Sequence, residues 1–194
     1  MRVRDGDIAG VLLLEPEPVR DDRGWFSRTF DAAAVRAAGL DPGAFVQDSQ
    51  SRSRYGVVRG LHARRDGGEG KLVRCSTGKV WDVAVDLRPW SPTFLRTQEL
   101  LLDDETLVSV YLPPGLAHGF QALTPVADVC YRIDRAYEPG FDVAVRWDDP
   151  ALAVRWPLPV GTVSARDAAA PMLDQVLPLL ADWFPAPAVV GSAS

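Results

Sequence analysis

An all-β fold, an antiparallel sandwich or barrel with a few peripheral helices, is what this sequence predicts, and three observations predict it. From about residue 55 to 160, short runs of β-branched and aromatic residues are broken by Gly, Pro and Asp at the spacing of antiparallel strands and their turns. The run Lys79–Arg88 alternates strictly, with Trp81, Val83, Val85 and Leu87 on one face and Asp82, Ala84, Asp86 and Arg88 on the other. No strand–helix–strand rhythm is visible, which removes the parallel α/β architectures.

Taken in chain order, the first expected element is a helix over Asp31 to Ala38, where alanines dominate. Strands are expected over Gly70–Cys75, Lys79–Arg88, Leu107–Leu112, Phe120–Leu123, Val129–Ile133 and Val143–Trp147, each bounded by turn residues. The apolar face of the Lys79–Arg88 strand packs the core. Its other face, with two carboxylates and a guanidinium, suits either solvent or a polar barrel lining. A second helix is expected over Pro171 to Phe184, where Met172, Val176, Leu179, Leu180 and Trp183 recur at helical spacing, with a kink at Pro178. Residues 1–185 read as one domain, and the small residues of 186–194 read as a flexible tail.

Charge and cysteine usage narrow the function. The 26 acids and 21 bases are interspersed, for a net charge of −5, which argues against nonspecific nucleic-acid or membrane binding while allowing a local basic pocket for an anionic small molecule. The N-terminal apolar run is too short for a signal peptide and no segment is long enough to span a bilayer, so a cytoplasmic location is expected. Cys75 and Cys130 are too few for a disulfide framework and lie in strand-like stretches, as reduced core residues do.

The candidates for chemistry are few. The chain has two histidines, His62 in Arg59-Gly60-Leu61-His62 and His118 in Leu116-Ala117-His118-Gly119-Phe120, each beside glycines that permit close approach of a ligand or merely an ordinary turn. A metal site rich in imidazole or thiolate is short of ligands. Two histidines with Glu69 or an aspartate remain arithmetically possible, although no His-x-His or His-x-Asp pair begins such a site. There is no GxGxxG or GxxxxGKS loop and no GxSxG elbow.

Read together, Asp22-Arg23-Gly24-Trp25-Phe26, Val46-Gln47-Asp48, Gly56 to His62, Lys71-Leu72-Val73-Arg74-Cys75, Asp82 to Arg88, Ser91-Pro92-Thr93-Phe94, Leu116 to Phe120, Tyr131, Trp147-Asp148-Asp149-Pro150 and Ser164-Ala165-Arg166-Asp167 resemble the dTDP-4-dehydrorhamnose 3,5-epimerase family, collinearly over roughly residues 8 to 175. The resemblance implies a cupin-type jelly roll, a homodimer, no metal or other cofactor, and a dTDP-linked 4-keto-6-deoxy sugar as substrate. It implies epimerisation at C3 and C5 of dTDP-4-keto-6-deoxy-D-glucose to dTDP-4-keto-L-rhamnose. His62 matches the base, Asp167 its carboxylate partner, Lys71 the cation that neutralises charge on the C4 oxygen, and Tyr131 the acid. Arg23, Arg59 and His118 match residues lining the sugar and pyrophosphate, with Gln47 beside them, and Phe26 matches an aromatic that reaches the neighbouring site across the dimer. Ser49, Tyr137 and Arg166 complete the implied substrate-binding set.

Some positions depart from the family. Ser49 stands where Asn is frequent, Arg28 where a glutamate is common near Phe26, and Arg135-Ala136-Tyr137 surrounds the second family tyrosine with a small residue. These departures leave single inversion at C3 or C5 as an alternative. A sugar 3,4-ketoisomerase and a silent sugar-binding cupin are further rivals, against which the complete set of His62, Asp167, Lys71 and Tyr131 argues.

Overall fold

The computed structural model describes residues 1–187, and the strands among them come in chain order as Arg2–Asp5 (β1), Leu12–Glu15 (β2), Val19–Asp21 (β3), Gly24–Phe26 (β4), Gln47–Arg54 (β5), Val58–Arg64 (β6), Lys71–Thr77 (β7), Lys79–Asp86 (β8), Thr97–Asp103 (β9), Ser109–Leu112 (β10), Leu116–Ala122 (β11), Val126–Ile133 (β12) and Asp142–Ala144 (β13). One sheet has the order β1-β2-β10-β7-β12-β5 and the other β13-β6-β11-β8-β9, while β3 and β4 pair alone as a ribbon. This is the antiparallel sandwich that the strand pattern predicts, in the cupin-type jelly-roll form that the family resemblance implies, with short helices at its periphery.

The alternation of β8 shows why two sheets form. Val80 and Ala84 join Val73, Val110, Phe120 and Val129 in the apolar cluster between the sheets. Val83, Val85 and Leu87 turn outward and pack with Leu173, Val176, Leu180 and Phe184 of the C-terminal segment. Both faces are therefore buried. The polar face lines the interior, where Asp82 is 1% and Asp86 0% exposed. Buried charge at these positions persists only because each carboxylate is paired.

The first expected helix forms as Ala32–Ala37 (α1), its start set by Asp31, whose side chain accepts from the backbone N–H groups of Ala33 and Ala34. A four-residue helix follows at Ala165–Ala168 (α2). The expected helix over residues 171–184 is instead Leu173–Val176 (α3), a 3₁₀ turn over Leu177–Leu179 and Leu180–Trp183 (α4). Pro178, which has no N–H to donate, falls in that turn. From residue 188 on, the expected tail lies outside the described residues.

Strand limits differ where polar residues control the backbone. The strand expected from Leu107 begins at Ser109, because Leu107 adopts φ 60° and Asp103 Oδ1 collects the backbone N–H groups of Glu105 and Thr106 in a turn. β5 reads Gln-Asp-Ser-Gln-Ser-Arg-Ser-Arg and carries no hydrophobic alternation, so the sequence does not predict it. Cys75 and Cys130 are free thiols, and burial pushes Cys75 up to about 12. Among the described residues no helix is long and apolar enough to cross a membrane.

Asp86 anchors the exit from β8. It binds Arg88 Nε and Nη2 at 2.8 Å each, Ser91 Oγ at 2.6 Å and Thr93 Oγ1 at 2.7 Å. Burial raises its pKa, but these bonds outweigh burial and hold the carboxyl below its ordinary value. A depressed folded-state pKa contributes stability above the unfolded value of about 3.9, and that contribution disappears as pH falls through the folded value. Urea unfolding followed from pH 7 to 3 therefore shows wild-type stability falling in acid. Asp86→Asn, which strands Arg88, costs about 3–5 kcal/mol at pH 7 and flattens that acid slope.

Candidate active site

The interior polar residues gather where β6, β11 and β8 lie side by side. His118 of β11 sits directly opposite His62 of β6 and Ala84 of β8, and the β11–β6 register shifts between His118 and Phe120. The backbones approach closely there. A Cβ on Gly60, which has φ +120°, would lie 2.6 Å from Gly119 Cα and 2.8 Å from the His118 carbonyl oxygen. Only glycine meets both demands.

Each imidazole has its own carboxylate. His62 Nε2 is 2.7 Å from Asp167 Oδ1, across 105 positions of sequence, and Asp167 Oδ2 also accepts from Gly60 N–H at 3.3 Å. Asp167 is 3% exposed and sits in α2, whose N-cap Ser164 accepts from the Asp167 backbone N–H at 3.0 Å. Burial works against its ionisation, but the His62 hydrogen bond and charge together with the Gly60 N–H hold its pKa below the ordinary carboxylate value. An ionised Asp167 makes Nε2 the protonated ring nitrogen of a neutral His62 and leaves Nδ1 as the proton acceptor. His118 Nε2 is likewise 2.7 Å from Asp82 Oδ2, with both residues buried.

The facing wall comes from the other sheet. Lys71 of β7 is paired with Glu69 at 2.9 Å, with both side chains at least 85% buried, and Tyr131 of β12 packs edge-on at 6.0 Å from His118. Tyr131 Oη is 3.5 Å from Ser51 Oγ, and burial raises its pKa, so the phenol keeps its proton. Arg59, His62, Lys71, His118 and Tyr131 line one cavity of about 270 Å³, with Ser49 and Ser51 beside them. An acceptor nitrogen and a phenolic donor thus stand on opposite sheets. That arrangement can move protons at opposite faces of a planar anion held between them.

The remaining expected residues are distributed around this cavity. Arg59 donates to Ser53 Oγ at 2.9 Å and, with Arg166, His62 and Asp167, lines an adjoining space of about 440 Å³. Arg166 itself pairs with Asp142 at 3.6 Å. Gln47 donates to Ser49 Oγ and accepts from Tyr137 N–H, each at 3.0 Å, which links the exposed Tyr137 to the cavity lining at Ser49. Arg23 and Phe26 are not brought to the cavity of their own chain. They lie on the β3–β4 ribbon, where Arg23 pairs with Asp21 at 2.6 Å and Phe26 is 70% exposed. Arg28, the departure noted nearby, pairs with Asp31 at 3.5 Å.

Sequence reasoning gave no site role to Ser51 and Ser164, considered Glu69 only as a possible metal ligand, and left Asp82 between solvent and a polar barrel lining. Asp82 was within reach, since the period of β8 puts it on one face with Ala84. Ser164-x-x-Asp167 is a helix-start signature, which places Asp167 in a capped turn. Glu69 and Ser51 carry no pattern that distinguishes them. Among the described residues no three His, Cys, Asp or Glu side chains are grouped to share a metal ion, and each histidine is taken up by a single aspartate.

Comparison with known proteins gives the family. The family described as dTDP-4-dehydrorhamnose 3,5-epimerase matches residues 5–175. A dTDP-4-dehydrorhamnose 3,5-epimerase of Salmonella typhimurium is 40% identical over 172 residues, covering 88% of this chain and 94% of its own. The crystal structure of a dTDP-6-deoxy-D-glucose-3,5-epimerase of Legionella pneumophila in complex with dTDP-4-keto-L-rhamnose is similar with a TM-score of 0.87 and 37% identity, covering 92% of this chain and 96% of that one. A 3'-monoepimerase of Streptomyces bikiniensis in complex with dTDP-quinovose is similar with a TM-score of 0.84 and 34% identity, covering 89% and 88%. With an interior His–Asp pair facing a lysine and a buried tyrosine, and a match over residues 5–175, the chain belongs to the dTDP-4-dehydrorhamnose 3,5-epimerase family of isomerases.

Proposed function

We propose that this enzyme inverts C3 and C5 of dTDP-4-keto-6-deoxy-D-glucose to give dTDP-4-keto-L-rhamnose. The observation that carries the reading is the placement of His62 and Tyr131 on opposite walls of one cavity with Lys71 beside them. The C4 ketone acidifies both neighbouring C–H bonds, although they remain weak acids. His62 Nδ1 removes the proton, and the bonding pair moves toward the C4 oxygen to give an enolate. The Lys71 ammonium stabilises that oxyanion where charge develops. Tyr131 then delivers its proton to the carbon from the other face. Removal on one face and return on the other is inversion.

Asp167 holds His62 in the accepting tautomer and stabilises the imidazolium that forms. Arg59 and Arg166 bind the pyrophosphate, where a guanidinium can grip two oxygens at once. His118 borders the sugar, oriented by Asp82, while Gln47, Ser49 and Tyr137 meet the nucleotide end. The exposed Val19, Trp25 and Phe26 on the β3–β4 ribbon support a homodimer in which Phe26 and Arg23 reach the neighbouring site. No step requires a cofactor. A 3,4-ketoisomerase would move the carbonyl instead of inverting carbon, and the presence of Lys71 and Tyr131 in the cavity argues against it. Inversion of one carbon remains a second reading, favoured by the likeness to a 3'-monoepimerase and by Ala136 beside Tyr137.

Incubation with dTDP-4-keto-6-deoxy-D-glucose in deuterated water, followed by NMR, is expected to show deuterium and inversion at both C3 and C5. Deuterium at one carbon would establish the single inversion, and none at either would sink the reading. His62→Ala is expected to slow exchange roughly a thousandfold at both carbons, within the range of a lost general base, with binding of the dTDP moiety kept. Tyr131→Phe separates the two half-reactions. Exchange persists through His62, while inversion falls about a hundredfold because protons return mainly from the base's own face.

A further inference from the structure

Eight residues, 134–141, bridge the two sheets beside the cavity, leaving β12 after Ile133, which lines it, and entering β13 at Asp142. They are tied at both ends. Asp134 N–H donates to the Gly70 carbonyl at 3.1 Å while its Oδ1 accepts from Gly70 N–H at 2.7 Å, and Arg65 N–H donates to the Phe141 carbonyl at 3.0 Å. Between these ends the segment carries Tyr137, held from the six-stranded sheet by Gln47.

From the side of β6 the segment is gripped by Arg64, with the Arg65 guanidinium also 5.8 Å from the Phe141 ring. Arg64 lies two residues beyond His62 on β6, so period-two alternation puts both on the interior face. Its guanidinium donates to the Ala136 carbonyl at 3.1 Å and to Glu138 Oε2 at 3.4 Å, and stacks 4.9 Å from the centre of the Phe141 ring. The side chain is 4% exposed, although Glu138 is 57% exposed. Burying a guanidinium is costly unless it is paired and hydrogen-bonded, and the partners that offset the cost here, one backbone carbonyl, one carboxylate and a ring, all belong to the 134–141 segment. The residues it grips flank Tyr137 on both sides.

We propose that Arg64 is a positioning residue that holds the 134–141 segment closed over the cavity and so keeps the singly inverted sugar bound until the second carbon has been inverted. The inference rests on the proposed double epimerisation. After the first inversion, the same base must meet a second carbon, and the sugar has to turn in the cavity without leaving. The first step needs only the walls. The second competes with escape through the mouth, so the tightness of the segment sets the ratio of doubly to singly inverted product.

The test is product partition in deuterated water at early times, with KM and kcat measured for exchange at each carbon. Arg64→Gln is expected to lower the ratio of doubly to singly labelled product about tenfold, the effect of losing one charge-assisted hydrogen bond from the closed state, while first-carbon exchange changes less than about twofold. Phe141→Leu and Glu138→Ala loosen the same grip from the segment's side, leave β6 intact, and are expected to shift the ratio in the same direction. In a Tyr137→Ala background, Arg64→Gln adds little. Equal losses at both carbons, an unchanged ratio in all three single variants, or additive effects with Tyr137→Ala would each overturn the inference. A wild-type enzyme that labels only one carbon overturns it too, while leaving the epimerase reading standing. Absence of exchange in wild type is the separate outcome that removes that reading.

Discussion

The hydrogen bond between His62 and Asp167 is the interaction on which the rest of the site depends, because it joins an interior strand to a four-residue helix 105 positions later. A helix that short has almost no intrinsic stability. It is held from outside, by Ser164 at its N-cap and by the packing of Leu173, Val176, Leu180 and Phe184 on the outer face of the five-stranded sheet. Asp149 ties the same region down, its Oδ2 accepting from Leu173 N–H at 2.6 Å. The C-terminal segment therefore covers apolar surface and also delivers the carboxylate that sets the His62 tautomer.

The second constraint is that a β-sandwich interior is apolar by default, and here part of it is polar. Period-two alternation brings His62, His118, Asp82, Lys71 and Tyr131 inward along with the apolar cluster that ends at Phe120 and Val129. Every buried ionisable group in the cavity has a partner on its own wall: Asp167 for His62, Asp82 for His118, Glu69 for Lys71. These three pairs are thus satisfied without a bond between His62 and the Lys71–Tyr131 wall, and the space between them is free for a ligand, while Arg59 of one sheet bonds Ser53 of the other.

Much of this was legible in the sequence, unevenly. β8 announced itself through Trp81, Val83, Val85 and Leu87, since each packs, but alternation alone could not say whether Asp82 and Asp86 met solvent or interior. Only a second sheet decides that. β5 was illegible because its inward residues are Gln47, Ser49, Ser51 and Ser53, small or polar groups that face a cavity rather than a core. A strand that lines a ligand site gives up the hydrophobic signal by which strands are found. Asp167 was legible only through family resemblance, because a contact over 105 positions leaves no local trace. The helix over residues 171–184 was correctly placed and its disturbance at Pro178 expected, but apolar spacing survives a 3₁₀ turn, so periodicity could not show that the kink would be a full 3₁₀ interruption between two short helices.

The parts that were hardest to read are also those most able to vary without loss of chemistry. His62, Lys71 and Tyr131 sit on central strands of the two sheets, flanked on both sides by hydrogen-bonded neighbours, so their relative positions follow from sheet geometry. Tyr137 and the residues around it occupy a connection whose place is set by side chains from both sheets, Gln47 from one and Arg64 from the other. On the proposed mechanism, a substitution on a central strand disturbs the proton-transfer geometry itself, while one in the 134–141 connection alters how long a sugar stays. On that reading, reaction class and extent of reaction are carried by different layers of one fold.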